Sequence, residues 1–274
     1  MHSSAFIAAS VRWPHLRPQE QAACFIAESV LDVTAWELDI PGAAPRTPDA
    51  ELRYTDGRKA AFEVMTHARD QAMRLEAHVA KEQTWGTGSK RTWLLQFASF
   101  AEYQALKPDY EHIISVCDSH AVRMPEKLPA EVVWADDILR RFVFGSSGTL
   151  LGFETLPGEE PHVNLVLPGT GGVVKHSHEG LYNALQDAYA TSHFEKHFEK
   201  LANSGYDERH LFVPIHYTAF DFEVIDGLQR SAQVPTSPPP ARPEITHLWL
   251  VAQYGSVVWL WSDKEGWSRH KLPV

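Results

Sequence analysis

Between Pro18 and Leu31 the positions Ala22, Phe25, Ile26, Ser29 and Val30 follow an i, i+3, i+4, i+7, i+8 rhythm, which predicts a helix with one buried face, and Pro18 suits its first turn. The pattern then switches to alternation. Residues 34–40 (TAWELDI) read as a strand that ends at Pro41 and Gly42, and residues 50–54 and 59–66 read as two more strands. Asp56 and Gly57 between them form the dipeptide favoured in tight hairpin turns. Ala68, Ala72, Leu75 and Val79 return to helical spacing as far as Thr84, and Arg91 to Phe97 reads as a buried strand.

Beyond Phe100 the pattern is less regular. The stretch EHIISVCD (111–118) is expected to be a strand, and Glu131 to Phe144 a strand followed by a short helix. Glycines and prolines between 145 and 172 punctuate short strands such as HVNLVL. Residues 179–203 predict one long amphipathic helix with Leu181, Leu185, Ala188, Phe194, Phe198 and Leu201 on its apolar side. Strands follow at 210–216, 245–253 and 256–262, and the proline-rich stretch 231–244 reads as a stiff exposed loop. The chain is therefore expected to be α/β, with a mixed central sheet flanked by helices.

Composition narrows the classes. With 44% hydrophobic and 22% charged residues, the chain can bury a core, and no apolar run reaches the length of a membrane span. The first twenty residues lack the pattern of a secretory leader, so the expected location is cytoplasmic. Cys24 and Cys117 have neither disulfide-framework nor zinc-site spacing, and Cys24 is expected to be a small buried hydrophobe. A net charge of -10 argues against a broad phosphate-binding surface but leaves room for a local groove.

Candidate chemistry concentrates in the hairpin. Hydrolysis of a phosphodiester with a metal ion requires carboxylates that hold Mg²⁺ (or Mn²⁺) against the scissile phosphate. Adjacent strands can bring Asp49 and Glu63 together on one face. Glu51, two residues from Asp49, shares that face; its plainer role is as a solvent-facing partner for Arg53 or Lys59.

Pro48-Asp49, followed by Glu63-Val64-Met65 on the next strand, resembles the PD-(D/E)xK nuclease superfamily, the restriction-endonuclease-like fold. Its core runs helix, three strands, helix, strand, and residues 18–97 are expected to supply it. The resemblance implies a Mg²⁺- or Mn²⁺-dependent nuclease acting on DNA or RNA, catalytic or degenerate, of the kind found in bacterial defence. It implies Asp49 and Glu63 as metal ligands, Glu28 of the first helix as a third, and Thr66 as a residue positioning water. Met65 stands where the family carries lysine. The FEVMT string looks like an EVT-type variant, and Lys59, Lys81 and Lys90 are candidates for a relocated lysine. On this reading residues 1–99 form the nuclease-like core, 100–178 a large insertion of short strands and loops, and 179–274 a long helix with Trp-rich strands that complete or extend the sheet.

Other arrangements compete. His176 with His178, or His193 with His197 at i, i+4 spacing, offer imidazole pairs for Zn²⁺, but HFEKH is not HExxH, and His193, His197, Lys196 and Lys200 read more simply as a solvated helix face. The glycine-rich PGTGGVVKHS fails the phosphate-loop spacing. The alternative function is a non-catalytic interaction protein that keeps the fold and presents Trp249, Trp259, Trp261 and Trp267 to a protein partner or a second copy. For those tryptophans core packing is the plainer reading.

Overall fold

A computed structural model describes residues 12–44, 46–69, 71–167 and 176–273. The first eleven residues, which bear on the leader question, and the glycine-rich stretch 168–175 lie outside the described residues. Contacts divide the chain into two units, one from the described residues up to Ala68 and from His176 onward, the other from Arg69 to Leu167.

The first unit begins with α1 (Pro18–Leu31), β1 (Val33–Glu37), β2 (Ala50–Tyr54) and β3 (Lys59–Val64). The second unit follows with α2 (Ala72–Glu82), β4 (Thr84–Gly86), β5 (Arg91–Gln96), α3 (Phe100–Leu106), α4 (Tyr110–Ser119), α5 (Ala130–Ala135), α6 (Asp137–Gly145), β6 (Thr149–Glu154) and β7 (His162–Val166). The chain then returns to the first unit as α7 (Leu181–Tyr189), α8 (Ser192–Ala202), β8 (Glu208–Ile215), α9 (Phe222–Arg230), β9 (His247–Ala252), β10 (Val257–Ser262) and β11 (Gly266–Lys271).

In the first unit a mixed seven-stranded sheet has the order β1-β2-β3-β8-β9-β10-β11. Its first and last pairings are antiparallel, whereas β3, β8 and β9 are parallel neighbours. Parallel neighbours need a crossover, which α9 supplies between β8 and β9. Alternation along the strands separates two cores. Ala60, Phe62, Val64, Phe212 and Trp249 face Ala23, Cys24 and Ala27 of α1, small residues that let the helix approach closely. The odd-numbered Glu63 and Leu211 therefore project from the other face, where α8 packs against β3 and β8.

Local chemistry explains the entry to this core. Glu20 closes a capping box by accepting from Arg17 N at 2.6 Å, and Gln21 Nε2 donates to the carbonyls of Trp13 and Leu16. The hairpin turn forms as expected: Gly57 has φ of +88°, and its N–H donates to Tyr54 O at 3.1 Å.

The second unit has its own four-stranded sheet, β4-β7-β5-β6, covered by Trp93, Leu95, Phe97, Ile113, Leu139 and other buried residues. This corrects the assembly expected from sequence. The helix and the strand at 91–97 do form, but β5 pairs with β6 and β7 rather than joining the hairpin's sheet. The helix and strand that follow β3 in the large sheet are α8 and β8, and β9 and β10 extend that sheet, as the late strands allowed.

Several local expectations also change. EHIISVCD is helical in α4, because Ile113, Ile114 and Cys117 are buried at helical spacing, so β-branched content gave way to packing. Residues 131–144 form α5 and α6 rather than a strand and a helix. The long helix breaks at Thr191, whose extended backbone starts α8 and whose hydroxyl donates to Ala188 O at 2.7 Å. Helix α9 and strand β11 carried no sequence expectation. Among the described residues no helix is long and apolar enough to cross a membrane.

Candidate active site

Strand register makes the carboxylate pair. Ala50 lies opposite Phe62, so one step further along the antiparallel ladder Asp49 meets Glu63. Asp49 N donates to Glu63 Oε2 at 3.2 Å, and Val64 N donates to Asp49 Oδ2 at 2.7 Å. Each carboxylate thus has one oxygen fixed by the opposite strand. Both residues are buried, Asp49 at 2% exposure and Glu63 at 0%.

The remaining oxygens face α8. Lys200 Nζ stands 2.8 Å from Glu63 Oε1 and 3.7 Å from Asp49 Oδ1. His197 Nδ1 lies 2.6 Å from the same Glu63 oxygen, and one turn earlier His193 Nε2 donates to Thr66 O at 3.1 Å. His193, His197 and Lys200 recur at i, i+4, i+7, one residue before the core series Phe194, Phe198 and Leu201. One residue is about 100° around a helix, so the polar stripe borders the buried one rather than opposing it. The expectation of a solvated face holds for the exposed His193 and Lys196 and fails for His197 and Lys200, which are drawn inward.

The charges push against each other. Burial, and then the neighbouring charge of Glu63, raises the Asp49 carboxyl to about 7, with Lys200 and the Val64 N–H acting in the opposite sense. Burial lowers the Lys200 pKa, but the charges of Glu63 and Asp49 outweigh it, so the net shift is upward and the ammonium is retained.

Not every sequence candidate gathers here. Met65, just past the end of β3, is 2% exposed and fills a core position. Thr66 Oγ1 donates to Gln19 Oε1 at 2.8 Å. Glu28 is engaged elsewhere: Oε1 accepts from Ala35 N at 2.7 Å, and Arg12 grips both its oxygens. The α1 acid whose charge acts on Asp49 is Glu20, two turns earlier. Glu51 is bound by Tyr206, Arg53 and Lys59, as its plainer reading held, but it is buried rather than solvent-facing. Lys81 and Lys90 belong to the second unit. The sequence reading missed Lys200 as a partner of the carboxylates; its signal was the i, i+3 relation to His197 along the border of an apolar stripe.

The imidazoles of each pair turn to separate partners. His176 Nδ1 lies 2.5 Å from Asp226 Oδ2, while His178 bonds Gln233 O and sets its ring edge against Trp259. His193 and His197 turn to different oxygens.

A different cluster lies on the α1 side of the sheet, where Glu208, His210 and His247 bring ligand atoms within 4.8 Å of one another. Its hydrogen bonds argue against a metal. Trp249 Nε1, which can only donate, gives its proton to His210 Nδ1 at 3.0 Å, so the neutral ring carries its own proton on Nε2 and donates it to Glu208 Oε1 at 2.9 Å. A metal on Nε2 would leave the imidazole with no proton. Tyr54 and Arg58 complete the Glu208 carboxylate, and burial pushes the stacked His247 down to about 3.

Comparison with family models, curated proteins and solved structures gave no match for this chain. Any assignment of class therefore rests on topology and on the carboxylate pair.

Proposed function

We propose that the protein is a divalent-metal-dependent phosphodiester hydrolase, a nuclease of the PD-(D/E)xK kind whose lysine is Lys200. The observation that carries the reading is the position of Lys200 Nζ, beside both Asp49 Oδ1 and Glu63 Oε1. The first unit runs α1, β1, β2, β3, α7, α8, β8, which apart from the additional helix α7 follows the helix, three strands, helix, strand that the resemblance implies, with the second unit inserted after β3.

The donor set fits Mg²⁺ or Mn²⁺. Two carboxylate oxygens are free of the backbone and face a cation, which here is the lysine's own ammonium. When bound, the ion would activate water and neutralise charge at the phosphate. The chain's own residues do the rest. The hairpin fixes the carboxylates, Lys200 brings a positive charge toward the attacking water and the phosphate, and His197 orients Glu63 through Oε1. Arg17, which feels both carboxylates, and Lys196, one turn before Lys200, add positive charge for a nucleic-acid backbone despite the net charge of -10.

The interaction-protein alternative expected an exposed apolar patch among the late tryptophans. Trp249 and Trp259 are fully buried, and Trp261 and Trp267 are half-buried.

The test is cleavage of plasmid, single-stranded DNA and RNA with Mg²⁺ or Mn²⁺, alongside Asp49→Ala, Glu63→Ala and Lys200→Met. Cleavage lost in all three supports the assignment; cleavage that survives the three changes removes it.

A further inference from the structure

Glu63 Oε1 is already fully used. It takes His197 Nδ1 at 2.6 Å and Lys200 Nζ at 2.8 Å, and a carboxylate oxygen has two lone-pair directions to offer. Its partner oxygen, Asp49 Oδ1, faces the same ammonium at 3.7 Å. The other oxygen of each residue is held by a strand N–H. The oxygens turned away from the strand amides are Asp49 Oδ1 and Glu63 Oε1, and the group standing against both is Lys200.

We infer that Lys200 is the resident cation of the Asp49 and Glu63 pair, and that a divalent ion enters by displacing its ammonium toward the substrate side. This rests on the nuclease reading and adds an order of events to it. The lysine supplies one positive charge to the two buried carboxylates before the ion arrives, then is released to meet the phosphate once the ion has taken its place. The side chain suits the exchange. Its base sits on α8, one residue before the buried Leu201, while a quarter of the side chain is exposed. Four methylenes let the ammonium swing without moving the helix. Lys200 therefore opposes ion binding while serving the reaction, a combination that a lysine acting only on the phosphate would not show.

Binding of Mn²⁺ to the substrate-free protein, followed by the paramagnetic resonance of the free ion, tests this directly. Lys200→Met is expected to bind Mn²⁺ about tenfold more tightly than wild type, since a like charge beside the ion is gone, and Lys200→Arg to stay within about twofold. Thermal stabilisation by Mn²⁺ should rise in parallel in Lys200→Met. Unchanged or weaker binding in Lys200→Met overturns the inference while leaving the nuclease reading intact. Absence of Mn²⁺ binding in both proteins removes the two together. Should Lys200→Met not fold, acylation of the wild-type chain tests the same exchange. Mn²⁺ is expected to speed modification of Lys200 several-fold, and an equal or slower rate overturns the inference.

Discussion

Asp49 and Glu63 hold each other through the backbone: the Asp49 N–H donates to Glu63, and the N–H after Glu63 donates to Asp49. The reciprocity follows from one ladder step, so a one-residue slip of β2 on β3 would send Asp49 and Glu63 to opposite faces. It also means that the two negative charges are kept together by the strands, with Lys200 and not solvent as the counter-charge.

The first consequence is a pH dependence of stability. The native Asp49 carboxyl titrates at about 7, above its ordinary range, so the folded chain retains a proton that the unfolded chain releases between pH 4 and 7. Its contribution is fully present below about pH 4 and is lost as pH rises through about 7. Asp49→Asn should flatten that slope and raise stability at pH 8, by no more than about 4 kcal/mol given the coupling to Glu63. Urea midpoints at pH 5, 6, 7 and 8 measure it; equal slopes in the two proteins would contradict it.

Replacing the lysine should cost both stability and turnover. Lys200→Met leaves buried carboxylates without their counter-charge, a loss of about 3 kcal/mol in the metal-free protein at pH 8 and less at pH 6, where Asp49 takes up a proton. Cleavage should fall about a hundredfold or more. Adding Met65→Lys, which places a lysine where the motif it resembles has one, should not rescue it, because Met65 fills a buried apolar position and a lysine there carries the cost of burying its charge. Chemical denaturation and cleavage rates of the single and double variants decide the matter.

Thr66 should prove structural. Its hydroxyl is committed to Gln19, so Thr66→Val is expected to cost about 1 kcal/mol and to leave cleavage within a fewfold of wild type. A loss of activity comparable to that of Glu63→Gln would return Thr66 to the site.

The Glu208, His210 and His247 cluster should be indifferent to chelators. With Trp249 holding one nitrogen of His210 and Glu208 the other, chelators and added Zn²⁺ should shift the Tm of wild type and of Glu208→Gln by the same amount, any shift coming from the Asp49 and Glu63 pair. Glu208→Gln should instead destabilise by about 1 to 3 kcal/mol, through the hydrogen bonds it takes from Tyr54, Arg58 and His210.

The sequence by itself determined the hairpin, helix α1 and the late strands, and offered Asp49 and Glu63 as a pair, because each rests on local rules: periodicity, a turn glycine, and alternation along the strands. It also set Met65 where the motif it resembles carries lysine. Only the tertiary structure decided which cation stands beside the carboxylate pair. Lys200 lies 137 positions beyond Glu63, with the whole second unit between them, and its neighbours on α8 read as a solvated stripe until β3 and β8 pack beside it. The same reason puts α8 and β8, rather than residues 68–97, beside β3. Local pattern fixes that a strand forms, but which sheet it joins depends on long-range pairing, and β5 found its partners within the inserted unit.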